Sequence, residues 1–147
     1  MHGNIIKNCK FQQEITVTNG AAGTSDITGS IIDMEGYEGC VFILQLGAIT
    51  SGAVTSCYLK QSADSGLSGA TSLTTATTVT IADTDDEKVI VIDVYRPTKR
   101  YIALFVDRGT QNAVVSAVAM QYGARQAPVT QGTGIHASSL LAVSPTA

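Results

Sequence analysis

The sequence predicts an all-β protein, an antiparallel β-sandwich of jelly-roll type with an extended C-terminal arm. Three observations lead there. Thr, Ser, Val, Ala and Gly dominate a chain of 147 residues that has no Trp, and branched side chains suit a pleated surface. The apolar runs are short and bounded by Gly, Asn, Asp or Pro. No segment carries the 3.6-residue apolar period of an amphipathic helix.

The elements follow in order. Glu14-Ile-Thr-Val-Thr18 alternates and meets Asn19-Gly20, a strand and a turn. Residues 20–29 are small and polar, a loop, and Ser30-Ile-Ile-Asp-Met34 is a short strand. Cys40-Val-Phe-Ile-Leu-Gln-Leu46 is apolar at both alternating sets of positions, as expected of a strand covered on both faces. Residues 47–52 turn the chain, and 53–61 form the next strand. A loop at 62–69 precedes the Thr-rich run 71–81, too β-branched for a helix. Residues 83–88 make an acidic turn.

Val89-Ile-Val-Ile-Asp-Val-Tyr95 and Tyr101-Ile-Ala-Leu-Phe-Val106 flank Arg96-Pro-Thr-Lys-Arg100 and read as a hairpin. A second turn, Asp107-Arg-Gly-Thr-Gln-Asn112, leads to a strand at 113–122, whose Val content outweighs its helical length. About seven or eight strands at this spacing pack as two sheets. The expected core comprises Phe42, Leu44, Leu46, Val89, Val91, Ile92, Ile102, Leu104 and Val106.

The sandwich domain spans 1–123 and the arm 124–147. The arm contains Pro128, Pro145 and Gln131-Gly-Thr-Gly134, with no sustained apolar pattern until Ile135 and Leu140-Leu-Ala-Val143. Fully stretched from Pro128 it reaches roughly 60–70 Å, at about 3.3–3.6 Å per residue. Its apolar residues Ile135, Leu140, Leu141 and Val143 are expected to anchor it on a neighbouring subunit, the arm being mobile until docked.

Composition narrows the function. Only 14% of residues are charged, and nine basic residues face twelve acidic ones for a net charge of -3. Phosphate binding needs concentrated Lys and Arg, so nucleic acid is not an expected partner. A surface this neutral is expected to be covered by other proteins. Residues 1–10 lack an apolar core of signal-peptide length, and no apolar run approaches a membrane span, so a soluble cytoplasmic product is expected. Cys9, Cys40 and Cys57 form no CxxC pair, and reduced thiols are the simplest reading. Cys40 and Cys57 sit in apolar runs as small buried hydrophobes.

Catalytic chemistry finds few residues to use. His2 and His136, the only histidines, lie outside the strand-forming region, so no Ser–His or Cys–His pair is preorganised. Asp83, Asp85, Asp86 and Glu87 offer oxygen ligands for calcium, but the turn lacks the Gly and distal Glu of an EF-hand loop. A solvated turn is expected instead. Gly20-Ala-Ala-Gly-Thr24 has neither the Lys of a P-loop nor a following helix. The expectation is no enzyme, no cofactor and no metal.

Three runs resemble small structural proteins of tailed bacteriophages: Gly29-Ser-Ile-Ile-Asp-Met-Glu-Gly-Tyr-Glu-Gly39, Val91-Ile-Asp-Val-Tyr-Arg-Pro-Thr-Lys-Arg-Tyr101 and Val106-Asp-Arg-Gly-Thr-Gln-Asn-Ala-Val114. Gln121-Tyr-Gly-Ala-Arg-Gln-Ala-Pro-Val129 resembles them too, so the likeness spans about Asn4 to Val129. It implies a virion protein on the capsid surface, made in the bacterial cytoplasm, that binds the major capsid protein as decoration or cement. A homo-oligomer, dimer or trimer, fits such a role. The competing readings are a head–tail completion or tail structural protein, and a host-surface glycan-binding module. Arg96, Lys99, Arg100 and Arg108 are the expected contacts to capsid carboxylates.

Overall fold

The computed structural model describes residues 4–73, 78–109 and 113–136. After a single helical turn, α1 (Ile5–Asn8), capped by the Asn4 side chain, the described chain is strands and loops. The strands are β1 (Lys10–Ile15), β2 (Ile27–Thr28), β3 (Ile32–Asp33), β4 (Gly39–Ile49), β5 (Thr55–Ser62), β6 (Thr71–Ser72), β7 (Val79–Ile81), β8 (Val89–Tyr95), β9 (Tyr101–Arg108) and β10 (Ala113–Tyr122). A 3-10 turn covers Asp83–Asp85.

They form two antiparallel sheets packed face to face. The first has the order β1-β10-β4-β8. In the second, β9 and β5 are central; β2 and β3 share the outer side of β9, and β6 and β7 share the outer side of β5. Each sheet is thus four strands wide. From β1 to β10 the chain crosses repeatedly between sheets, and this double-sheet order is that of a jelly roll.

The core is the space between them. Cys40, Phe42, Leu44 and Leu46 of β4 point inward, as do Cys57 and Leu59 of β5, Ile102, Leu104 and Val106 of β9, and Val115, Ala117 and Ala119 of β10. Small residues on β10 leave room for Phe42 and Leu44 opposite. Gly20 marks one tight approach: a Cβ there would lie 1.6 Å from the Val115 carbonyl oxygen, so no other residue fits. Cys40 and Cys57 are buried free thiols, as the sequence suggests.

Three expectations are corrected. First, β8 and β9 do not form a hairpin. β8 pairs with β4 and β9 with β5, so Arg96-Pro-Thr-Lys-Arg100 is a crossover between sheets. Two apolar runs beside a short connection specify burial but not partner, and five residues are ample for a gap of about 10 Å. The crossover is pinned at both ends, where Arg96 N–H donates to Glu38 O and Met34 N–H to Arg100 O.

Second, β8 is not buried on both faces. Val89 and Val91 are 55% and 62% exposed, while Ile90, Ile92 and Val94 pack inward. β4 behaves likewise, with Ile43 36% exposed on the face away from the core. Third, β1 runs from Lys10 to Ile15, earlier than the alternation at 14–18 implies. Its register with β10 shifts between Gln13 and Ile15, and this bulge turns both Glu14 and Ile15 inward.

Candidate interaction surface

The crossover from β8 to β9 closes one end of the sandwich and brings the basic residues together. Arg100 places its guanidinium fork on Asp33, with Nε and Nη2 each 2.8 Å from a carboxylate oxygen, and Nη2 also contacts Glu35. Arg96 pairs with Glu38 at 3.2 Å and lies over the Tyr95 ring. The hydrogen bonds from Arg100 hold the Asp33 carboxyl below its usual range, and the same contact raises Arg100. Arg96 and Arg100 are therefore neutralised within the chain by carboxylates from 33–38.

Lys99 and Arg125 form no ion pair among the described residues. They line an open groove of about 790 Å³, with Tyr37 and Pro97. They are the two basic side chains of this groove that stand outside its ion pairs.

Arg108 is not at this end and is not a docking residue. It is 6% exposed. Its Nε donates to Ser25 O at 2.6 Å, and its Nη1 donates to Ala21 O at 2.6 Å and Ala113 O at 3.0 Å. The carbonyls of two loop residues and of the first residue of β10 are bonded by one planar fork, whose geometry Lys lacks. A basic residue in a predicted turn reads as exposed; only the loop at 20–26 folding over it reveals the burial.

The C-terminal segment docks on its own chain as far as it is described. Val129 N–H donates to Lys7 O, Gly132 N–H to Phe11 O and Gln13 N–H to Thr133 O. Gln131 accepts from Phe11 N–H and donates to Ile6 O and Cys9 O. This segment covers the outer edge of β1, and half-buried Ile135 follows it. The expected freedom of the arm before docking is overturned for these residues, because backbone pairing with β1 is available within the chain. Leu140, Leu141 and Val143 lie outside the described residues.

A further exposed surface is the outer face of the β1-β10-β4-β8 sheet. Its register aligns Val118, Ile43 and Val91 in one row, with Met120, Val41 and Asp93 in the next. Val89, Tyr95 and Val114 point the same way by alternation. Val118 is 38% exposed and Tyr95 60%. Asp93 is the single charge on these three strands that faces outward, and it already accepts a 2.8 Å hydrogen bond from Tyr122 OH. The Tyr122 ring lies over Gly39, where a Cβ would come within 2.3 Å of it. A solvated antiparallel face ordinarily alternates to polar residues. This one does not.

No protein-family model matches the chain, and no curated protein matches it.

The acidic turn has a structural task. Asp83 accepts from Gly52 N–H, Asp86 from Ile49 N–H at 2.7 Å, and Asp85 from Ala82 N–H and Lys88. These carboxylates tie the turn at 82–88 to the end of β4. Among the described residues no group of three His, Cys, Asp or Glu is arranged to hold a metal ion, and no helix is long and apolar enough to cross a membrane. Burial pushes the Cys57 thiol up to about 11 and Cys40 higher still, so neither supplies a thiolate near neutrality. On the other sheet Tyr58 and Phe105 stack at 5.5 Å, with the Lys60 ammonium over both rings.

Sequence reasoning missed the apolar outer face because it assigned the same residues to the core. The signal was present: β4, β8 and β10 are apolar at both alternating sets of positions, and only one set can face a single core.

Proposed function

We propose that this chain is a structural protein of a tailed-phage particle that binds the assembled capsid lattice and stabilises it as a decoration or cement protein. The observation that carries this reading is the apolar, nearly uncharged outer face of the β1-β10-β4-β8 sheet, built around Val118, Ile43 and Val91. A contiguous apolar surface on a rigid sheet suits contact with another protein. The resemblance of its motifs to small phage structural proteins supplies the particle, and the major capsid protein is the proposed partner.

Stabilisation follows from linkage. A chain that binds assembled capsomers and not free ones shifts the equilibrium toward the lattice. The sheet face supplies the apolar core of the contact, and Lys99 and Arg125 sit at its basic end, where capsid carboxylates would meet them. Arg96 and Arg100 shape that end through Glu38 and Asp33 and contribute less charge than their number implies.

The test is reconstitution on capsids that lack the protein, followed by cryo-electron microscopy. Density distributed over the capsid surface, with occupancy lowered by Ile43→Lys and by Val118→Lys, is the expected outcome. Copies confined to one ring at the neck or tail would assign a completion role instead. Occupancy unaffected by both substitutions would remove the sheet face from the contact.

A further inference from the structure

We infer that β8 is a homodimerisation edge, through which two copies pair antiparallel about a two-fold axis to make one continuous eight-stranded sheet. This goes beyond the proposed capsid contact, which a monomer could make equally well.

The backbone directions of β8 are fixed by its ends. Leu46 N–H donates to Lys88 O, and Arg96 N–H donates to Glu38 O. In an antiparallel ladder the groups alternate in direction, so Ile90, Ile92 and Val94 also bond toward β4. Val89, Val91, Asp93 and Tyr95 turn their N–H and C=O groups to the other side, where β8 has no strand partner among the described residues. These are four unpaired donors and four unpaired acceptors in a row, on a strand with no Pro and no Lys.

Proteins ordinarily blunt such an edge, and this chain blunts its others. Residues 129–133 cover β1. The edges of the second sheet are the two- and three-residue strands β2, β3, β6 and β7. β8, seven residues long, is left open among the described residues.

A second copy fits the edge better than an unrelated strand for two reasons. Its sequence is self-complementary under a two-fold: centring the pair on Ile92 sets Val89 opposite Tyr95 and Ile90 opposite Val94 of the other copy. Aromatic and β-branched residues are favourable cross-strand neighbours. The one charge, Asp93, falls opposite Val91 and keeps its bond to Tyr122. The register also forms about eight backbone hydrogen bonds, close to the roughly ten of a stable interface of standard size. A single open edge gives an isologous contact that closes at two copies rather than growing into a fibre. The two outer faces then join into one apolar surface twice as wide.

The experiment is sedimentation analysis of the full chain and of Val91→Pro. Proline there deletes an N–H that points to the open edge and none that bonds β4. The wild type should sediment as a dimer, and the variant as a monomer with an unchanged far-ultraviolet spectrum. Val91→Lys, which keeps the N–H but charges the edge, should weaken the dimer too. In the wild type the amides of Val89, Val91, Asp93 and Tyr95 should exchange slowly, and those of Val89, Asp93 and Tyr95 should become fast in Val91→Pro. Ile43→Lys, on the face but one strand inside the edge, should remain dimeric while losing capsid binding, which separates this inference from the proposed function. A monomeric wild type, a dimer that survives both substitutions at Val91, or a dimer lost on truncation after His136 would each overturn the assignment.

Discussion

Glu14 of β1 accepts the backbone N–H of Leu104 of β9 at 3.2 Å, a carboxyl group joining the two sheets inside the core. The bond fills a gap. β9 is paired with β2 at Val106 and Phe105 and with β3 at Ile102 and Tyr101, leaving Leu104 between them. Gly29 N–H takes the Leu104 carbonyl and Glu14 takes its N–H. The second carboxyl oxygen, Oε2, is buried with no partner, which is costly for an anion and tolerable for a neutral acid.

Burial accordingly pushes the Glu14 carboxyl from an unfolded value of 4.5 up to about 8, opposed only by the Leu104 N–H. Between these values the folded chain holds a proton that the unfolded chain has released. Stability should therefore be full below about pH 4.5 and decline as pH rises toward 8, by about 1.4 kcal/mol per pH unit at most. Urea midpoints across this range should fall in the wild type and stay flat in Glu14→Gln. A wild-type midpoint rising between pH 5 and 8 would contradict the assignment.

Arg108 should be the most sensitive basic residue. Arg108→Met leaves the carbonyls of Ser25, Ala21 and Ala113 short of donors, at about 1–3 kcal/mol for each buried group left unpaired. Arg108→Lys should recover only part of this. Arg96→Ser, in an exposed pair, should leave the unfolding midpoint nearly unchanged. Equal effects at the two positions would mean that the loop at 20–26 does not close over Arg108.

The sandwich core and the outer face of the first sheet should separate cleanly on mutation. Leu104→Ala, fully buried between the sheets, should cost about 2–5 kcal/mol. Val91→Thr, on the outer face, should change stability by no more than about 0.5 kcal/mol. Chemical denaturation of both variants decides whether Val91 belongs to the surface.

Gln131 should control the N-terminal edge. Gln131→Ala removes the acceptor of Phe11 N–H and the donor to Ile6 and Cys9, at a cost of about 1–2 kcal/mol. The Phe11 amide should exchange faster while the amides of β9 remain protected. Truncation after Ala127 should act on the same edge more strongly, since it also removes the backbone bonds from 129–133.

The sequence by itself determined the class of fold and the positions of the long strands. Branched, turn-bounded runs admit little but β structure, and the strands read at 89–95 and 113–122 coincide with β8 and β10. Burial of Phe42, Leu44, Ile102 and Leu104 was equally legible, because a large apolar residue in such a run has one favourable destination. Only the tertiary structure decided which strands pair and which apolar face is spare. β8 finds β4 some fifty residues away rather than its neighbour β9, and local pattern carries no information about partners at that separation. Val89, Val91 and Ile43 look like core in a linear reading because hydrophobicity reports a preference for burial, whether between the sheets or under another molecule. Arg108 and Gln131 are the converse: polar residues whose role depends on loop carbonyls and a strand edge that come to them only when the sandwich closes.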